Sequence, residues 1–105
     1  MSTEDKYTSD QVQRVLRVIL ALGGNEFRGM LLKEVATAAD CSESNALRAL
    51  ENLRTAGFAE RNAYDDKRWM LGPRLVQIAF AFDSALQKAA RELDERRQRF
   101  TRTPN

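Results

Sequence analysis

The chain of 105 residues contains no histidine and a single cysteine, Cys41. Protein-bound zinc draws on three or four nitrogen and sulfur ligands, so such a site has almost nothing to be built from here. An intramolecular disulfide is excluded, and one lone thiol fits a reducing cytoplasm. Lack of histidine also removes the commonest general base. No apolar run approaches the roughly 18 residues of a membrane span, and the acidic, polar start is unlike a signal peptide. There is no nucleophile–base pair, no glycine-rich phosphate loop and no metal set. These absences speak against an enzyme, and no cofactor or metal is expected.

What is present suits one soluble globular domain: 43% hydrophobic and 30% charged residues. A chain of this size buries about two-thirds of the surface its unfolded form exposes. Lys and Arg number 17 against 15 Asp and Glu, a net charge of +2. That balance permits a polyanionic partner without requiring one.

Along the chain, residues 1–10 read as a polar arm, with Ser9 or Asp10 able to cap a following helix. Val12, Val15, Leu16, Ile19 and Leu22 recur at helical spacing over Gln11–Leu22, Arg14 and Arg17 lie towards the other side, and Val18 and Leu20 widen the apolar surface to more than one side. Gly23-Gly24-Asn25 stops that helix. Phe27–Leu31 is a connector with room for a brief strand, and Leu32–Ala39 a short helix. Asp40-Cys41-Ser42 forms a tight turn. Ser42 caps a helix over Glu43–Ala56, whose inward positions are Ala46, Ala49, Leu50 and Leu53, and Gly57 ends it. Phe58–Arg61 and Arg68–Leu71 alternate apolar and polar residues around the polar stretch Asn62–Lys67, the pattern of a hairpin. Gly72-Pro73 breaks the strand, and one helix runs from Pro73 to Phe100.

Helix, turn, helix and hairpin in that order make a winged helix-turn-helix. The fold class is mainly α: a three-helix body, a β-hairpin wing and a long C-terminal helix. The major groove of DNA admits one helix, whose N-terminal residues reach base edges. The stretch LLKEVATAADCSESNALRALENLRTAGFAERNAYDDKRWMLGPRLVQIA resembles the DNA-binding domain of the IclR family of transcriptional regulators. Its closest parts are Arg48-Ala49-Leu50 with Leu53 and Gly57-Phe58, then Trp69 through Leu75. The resemblance covers about Val12 to Ala79. It implies a homodimeric regulator that binds double-stranded DNA as repressor or activator, with Ser44, Asn45 and Arg48 facing the DNA; of the two, a repressor is expected. Asp40, Ser42 and Glu43 depart from the family pattern. The resemblance does not extend to the family's effector domain, so no small-molecule effector is expected.

Residue chemistry supports several contacts. Arg48 can take guanine bidentately or a phosphate, and Asn45 can pair with adenine. Ser44 can reach a base or phosphate, or simply satisfy the first turn of its helix. Asn52 and Arg54 lie nearer the backbone or water. Leu47 can touch a thymine methyl or be half-buried packing. Lys33 and Thr37 in the preceding helix, and Arg61, Lys67 and Arg68 in the wing, can meet phosphates, with Arg28 and Tyr64 weaker candidates. Asp65 and Asp66 argue against deep insertion of the wing tip. For any one of these residues a solvated surface role is the alternative. Trp69 reads as a core aromatic and Cys41 as a small apolar filler, with a redox thiol the minor reading.

In the last helix Leu75, Ala79, Phe82, Leu86, Ala89, Leu93, Arg96 and Phe100 follow steps of 4, 3, 4, 3, 4, 3 and 4. That is a heptad seam broken only by Arg96. Leu75, Val76, Ile78, Ala79 and Phe80 are expected on the body of the domain. Phe82, Leu86, Ala89, Leu93 and Phe100 are expected to pair with a second copy. The plan is an arm over 1–10, the winged helix over 11–72, a dimerisation helix over 73–100 and a disordered tail over 101–105. Double-stranded DNA and a second copy are the expected partners, with no membrane, in the cytoplasm. A winged helix serving protein interaction within a larger assembly is the alternative.

Overall fold

A computed structural model describes residues 6–103. The element order is α1 (Asp10–Leu22), β1 (Met30–Leu31), α2 (Leu32–Ala38), α3 (Glu43–Ala56), β2 (Ala59–Asn62), β3 (Asp65–Leu71) and α4 (Pro73–Thr101). The described residues up to Leu75 form one compact unit and those from Val76 a second. Of the expected arm and tail, residues 1–5 and 104–105 lie outside the described residues.

Local chemistry sets most helix ends. Ser9 Oγ accepts from the Val12 amide at 3.3 Å, which starts α1 one residue before the expected Gln11. Beyond α1, Glu26 Oε1 accepts from the Gly24 amide at 2.8 Å, and that bond holds its carboxyl below the usual carboxylate range. Leu31 has no acceptor with which to cap α2. Instead Glu34 reaches back to the Leu31 amide at 2.9 Å, half of a capping box. Asp40 turns the chain with φ 54°, the one non-glycine at positive φ among the described residues. Aspartate tolerates that region better than most residues. Ser42 Oγ then accepts from the Asn45 amide at 3.1 Å to open α3. Gly57 closes it in the left-handed region at φ 84°, as the sequence leads one to expect.

The core is built where α1, α2 and α3 meet. Val18, Leu22, Val35, Ala36, Ala39, Ala46, Ala49, Leu50 and Leu53 are buried there, with Ala59 and Trp69 closing it from the sheet. Alanines on α2 and α3 let those helices approach closely. The buried stripe of α1 differs from the expected one. Val18 and Leu22 are buried and Val15 and Ile19 half-buried, whereas Val12, Leu16 and Leu20 are exposed, Leu20 to 78%. Positions 15, 18, 19 and 22 form one helical stripe, and 12, 16 and 20 the next, so one neighbouring surface covers only the first.

Three antiparallel strands lie in the order β1-β3-β2. Met30 pairs with Trp69, and Trp69 with Arg61 on its other side. Gly29 precedes β1 at φ 80°, where an added Cβ would meet the Trp69 carbonyl oxygen at 2.8 Å. The hairpin is tighter than its polar composition suggests. Only Ala63 and Tyr64 separate the strands, and β3 begins at Asp65 rather than Arg68. Asn62 Oδ1 accepts from the Tyr64 amide at 2.8 Å and Asp65 Oδ1 from the Lys67 amide at 3.2 Å, so the polar side chains fold the turn themselves.

In the second unit α4 buries no residue. Val76, Ile78 and Phe80, expected to be covered, are exposed, as are Phe82, Leu86, Leu93 and Phe100. Proline and glycine are absent from its interior, and 29 residues at 1.5 Å each give a rod of about 43 Å. Thr101, placed in the tail by the sequence, is its last residue. Among the described residues no helix is long and apolar enough to cross a membrane.

Candidate nucleic-acid interface

Helix α3 buries Ala46, Ala49, Leu50 and Leu53. Its 3.6-residue period therefore leaves Ser44 and Arg48 exposed on one face, with Asn45 half-buried beside them. The Ser44 hydroxyl makes no hydrogen bond that would fix it to the cap, since capping falls to Ser42. Asn52 Nδ2 donates to the Arg48 carbonyl at 2.8 Å and is thereby held against its own helix. Leu47 is 38% exposed, compatible with packing and with contact alike. On α2, Lys33 and Thr37 are exposed, and the Thr37 hydroxyl donates to the Lys33 carbonyl at 3.0 Å.

The wing's arginines are engaged within the domain. Arg68 Nε meets Asp65 Oδ2 at 3.2 Å, and its Nη1 lies 3.6 Å from Glu34 Oε1 and 3.4 Å from the Gly29 carbonyl oxygen. Its side chain is only 19% exposed. Arg61 stacks on the Trp69 ring at 4.3 Å, donates to the Asp66 carbonyl at 2.8 Å and lies 3.6 Å from Glu51. A guanidinium already matched by carboxylates adds less to the field that draws phosphate. These two residues fix the wing to α2 and α3. The Lys67 ammonium group has no partner among the described residues. Tyr64 stands fully exposed at the turn, and Asn62 is tied to the Phe27 and Arg28 carbonyls at 3.2 and 3.0 Å.

Arg17 and Arg54 are also occupied, by the Ala39 carbonyl at 2.8 Å and by Glu51 at 2.8 Å respectively. Among the described residues, the side chains of Arg14, Arg28, Lys33, Arg48 and Lys67 make no hydrogen bond or ion pair. Arg74 and several cations of α4 are equally without such partners; of all these, Arg14 is the one that shares a cleft with Arg48. With Asp10, Gln11, Val15, Asn45, Arg48, Ala49 and Asn52 it lines an open cleft of about 340 Å³ between α1 and α3. Its periodicity placed it only on the polar side of α1; the meeting of that side with α3 is a tertiary fact. Cys41 is a half-buried free thiol packed against the core, the place of a small apolar filler. Among the described residues no cluster of His, Cys, Asp and Glu could hold a metal ion.

No protein-family model matches the chain, and no curated protein does. Solved structures do match it. An IclR transcriptional regulator from Alicyclobacillus acidocaldarius is similar with a TM-score of 0.59 and 26% identity over 69% of this chain. The match takes in 28% of that regulator, so the chain spans little more than a quarter of its length. A point mutant of S. aureus MepR is similar in fold, with a TM-score of 0.50 and 18% identity over 89% of this chain and 69% of that one. The architecture is thus a winged helix-turn-helix, mainly helical, with a three-stranded sheet and a long last helix.

Proposed function

We propose that this winged helix-turn-helix chain, similar to the DNA-binding part of an IclR regulator, binds double-stranded DNA as a sequence-specific transcriptional regulator. The observation that carries the reading is the exposed, unpaired side chain of Arg48 on the same face of α3 as Ser44. In the major groove Arg48 and Asn45 read base edges, and Ser44 takes a base or phosphate. Lys33, Thr37 and Lys67 meet the backbone on either side of α3, while Arg61 and Arg68 hold the wing at the height it needs to lie on backbone or minor groove. Non-enzymatic action in the cytoplasm, by occupying DNA and repressing, completes the proposal.

Two copies pair through Phe82, Leu86, Ala89, Leu93 and Phe100. An apolar seam of this length left in water would be an aggregation hazard, and pairing brings two α3 helices to two half-sites. Glu43 is exposed in the first turn of α3 and repels phosphate, which favours a second reading: a winged helix that binds protein.

Binding to random and selected duplexes across a salt series separates the two. DNA binding gives a steep fall of affinity with salt, about 0.9 decades per decade of salt for each phosphate neutralised. Arg48→Ala should weaken the selected site about 10- to 100-fold and narrow its advantage over random duplex, with thermal stability unchanged. Wild-type protein that ignores duplex at low salt overturns the proposal in favour of the protein-binding reading.

A further inference from the structure

The cleft between α1 and α3 holds two arginines, Arg14 and Arg48, neither with a hydrogen-bond or ion-pair partner among the described residues. An anion on the α1 wall of this concave surface is attracted by Arg14 and, at longer range, by Arg48. The cleft's one carboxylate, Asp10, belongs to the first turn of α1, where the positive end of the helix favours its charge. It leaves the arginines unmatched. Gln11 adds an uncharged donor on the same wall, and Asn52, fixed to the Arg48 carbonyl, stiffens the other. The volume, about 340 Å³, is ample for a phosphodiester group and open to solvent.

We propose that Arg14, with Gln11, takes a DNA backbone phosphate in this cleft, and that the contact sets the depth and register of α3 in the groove. The inference rests on the DNA-binding reading and extends it to a helix outside the helix-turn-helix. A phosphate held there touches α1 and α3 together, so the first helix becomes part of the recognition surface. Such a contact carries no base information: it positions Arg48 and Asn45, which do.

The test is Arg14→Gln in the whole chain, measured on the selected duplex and on random duplex over a salt series. The expected result is a loss of about ten-fold on both duplexes alike, with the salt slope smaller by about 0.9 for each bound protomer. Arg14→Lys should restore the slope, because an ammonium group also displaces a counterion. The side chain has no partner to lose, so the melting temperature of Arg14→Gln should equal that of the wild type. Wild-type affinity and slope in Arg14→Gln overturn this site and leave DNA binding standing. A change of base preference with an unchanged slope also overturns it. Failure of the wild type itself to bind duplex overturns both readings together.

Discussion

The two units treat their apolar residues in opposite ways. In the first unit, Trp69, Leu50, Leu22, Val18 and Val35 are wholly buried in one core. In residues 76–105 the apolar positions are as regular, yet α4 buries none of them. The difference separates what periodicity establishes from what it does not. A stripe at helical spacing marks an apolar surface without saying what covers it: Val18 and Leu22 of α1 are buried, whereas Val12, Leu16 and Leu20 on the next stripe are exposed, as Phe82 and Leu86 of α4 are.

The largest effect should come from breaking the first unit. Trp69→Ala removes the biggest buried side chain and the platform under Arg61, and is expected to cost about 3–5 kcal/mol in urea unfolding. A cost below about 1 kcal/mol would mean that the sheet is not part of the core. Next comes Leu86→Asp with Leu93→Asp in α4. Sedimentation should show monomers, while the melting of the core, followed by Trp69 fluorescence, should change little. A dimer that persists shows that the seam is not what pairs the copies. The smallest effects sharpen the contrast inside the wing. Arg68→Ala, which removes a partly buried ion-paired group, should lower stability by about 1 kcal/mol. Lys67→Ala should leave stability within about 0.5 kcal/mol and reduce the salt slope of DNA binding instead. The reverse pattern would exchange their roles.

Much of the fold was legible because its punctuation is local. Ser42 and Gly57 bound α3 through bonds and backbone angles that lie within a few residues, and Pro73 begins α4 for the same reason. The inward row Ala46, Ala49, Leu50 and Leu53 follows from the helical period alone. What was not legible depends on partners distant in the chain. Arg61 and Arg68 look like free wing cations until Glu51 and Glu34 are seen beside them. The apolar face of α1 is broader in the sequence than in the core, since spacing marks Val12, Leu16 and Leu20 as apolar without saying where the neighbouring helices end. The wing turn is shorter than its polar composition suggests: Asp65 pairs with Asn62, and the irregularity that follows leaves Asp66 and Lys67 without β2 partners, a local departure that propensity does not signal. Ser44 and Arg48 stand where the sequence puts them, on the uncovered side of α3, whereas the company of Arg14 could be found only in three dimensions.

Arg61 lies between Trp69, Glu51 and the Asp66 carbonyl, so β2, β3 and α3 are bolted together before any ligand arrives. Association then has few residues left to order. In calorimetry its heat-capacity change should match the area of the two contacting faces alone, without the larger value that accompanies coupled folding.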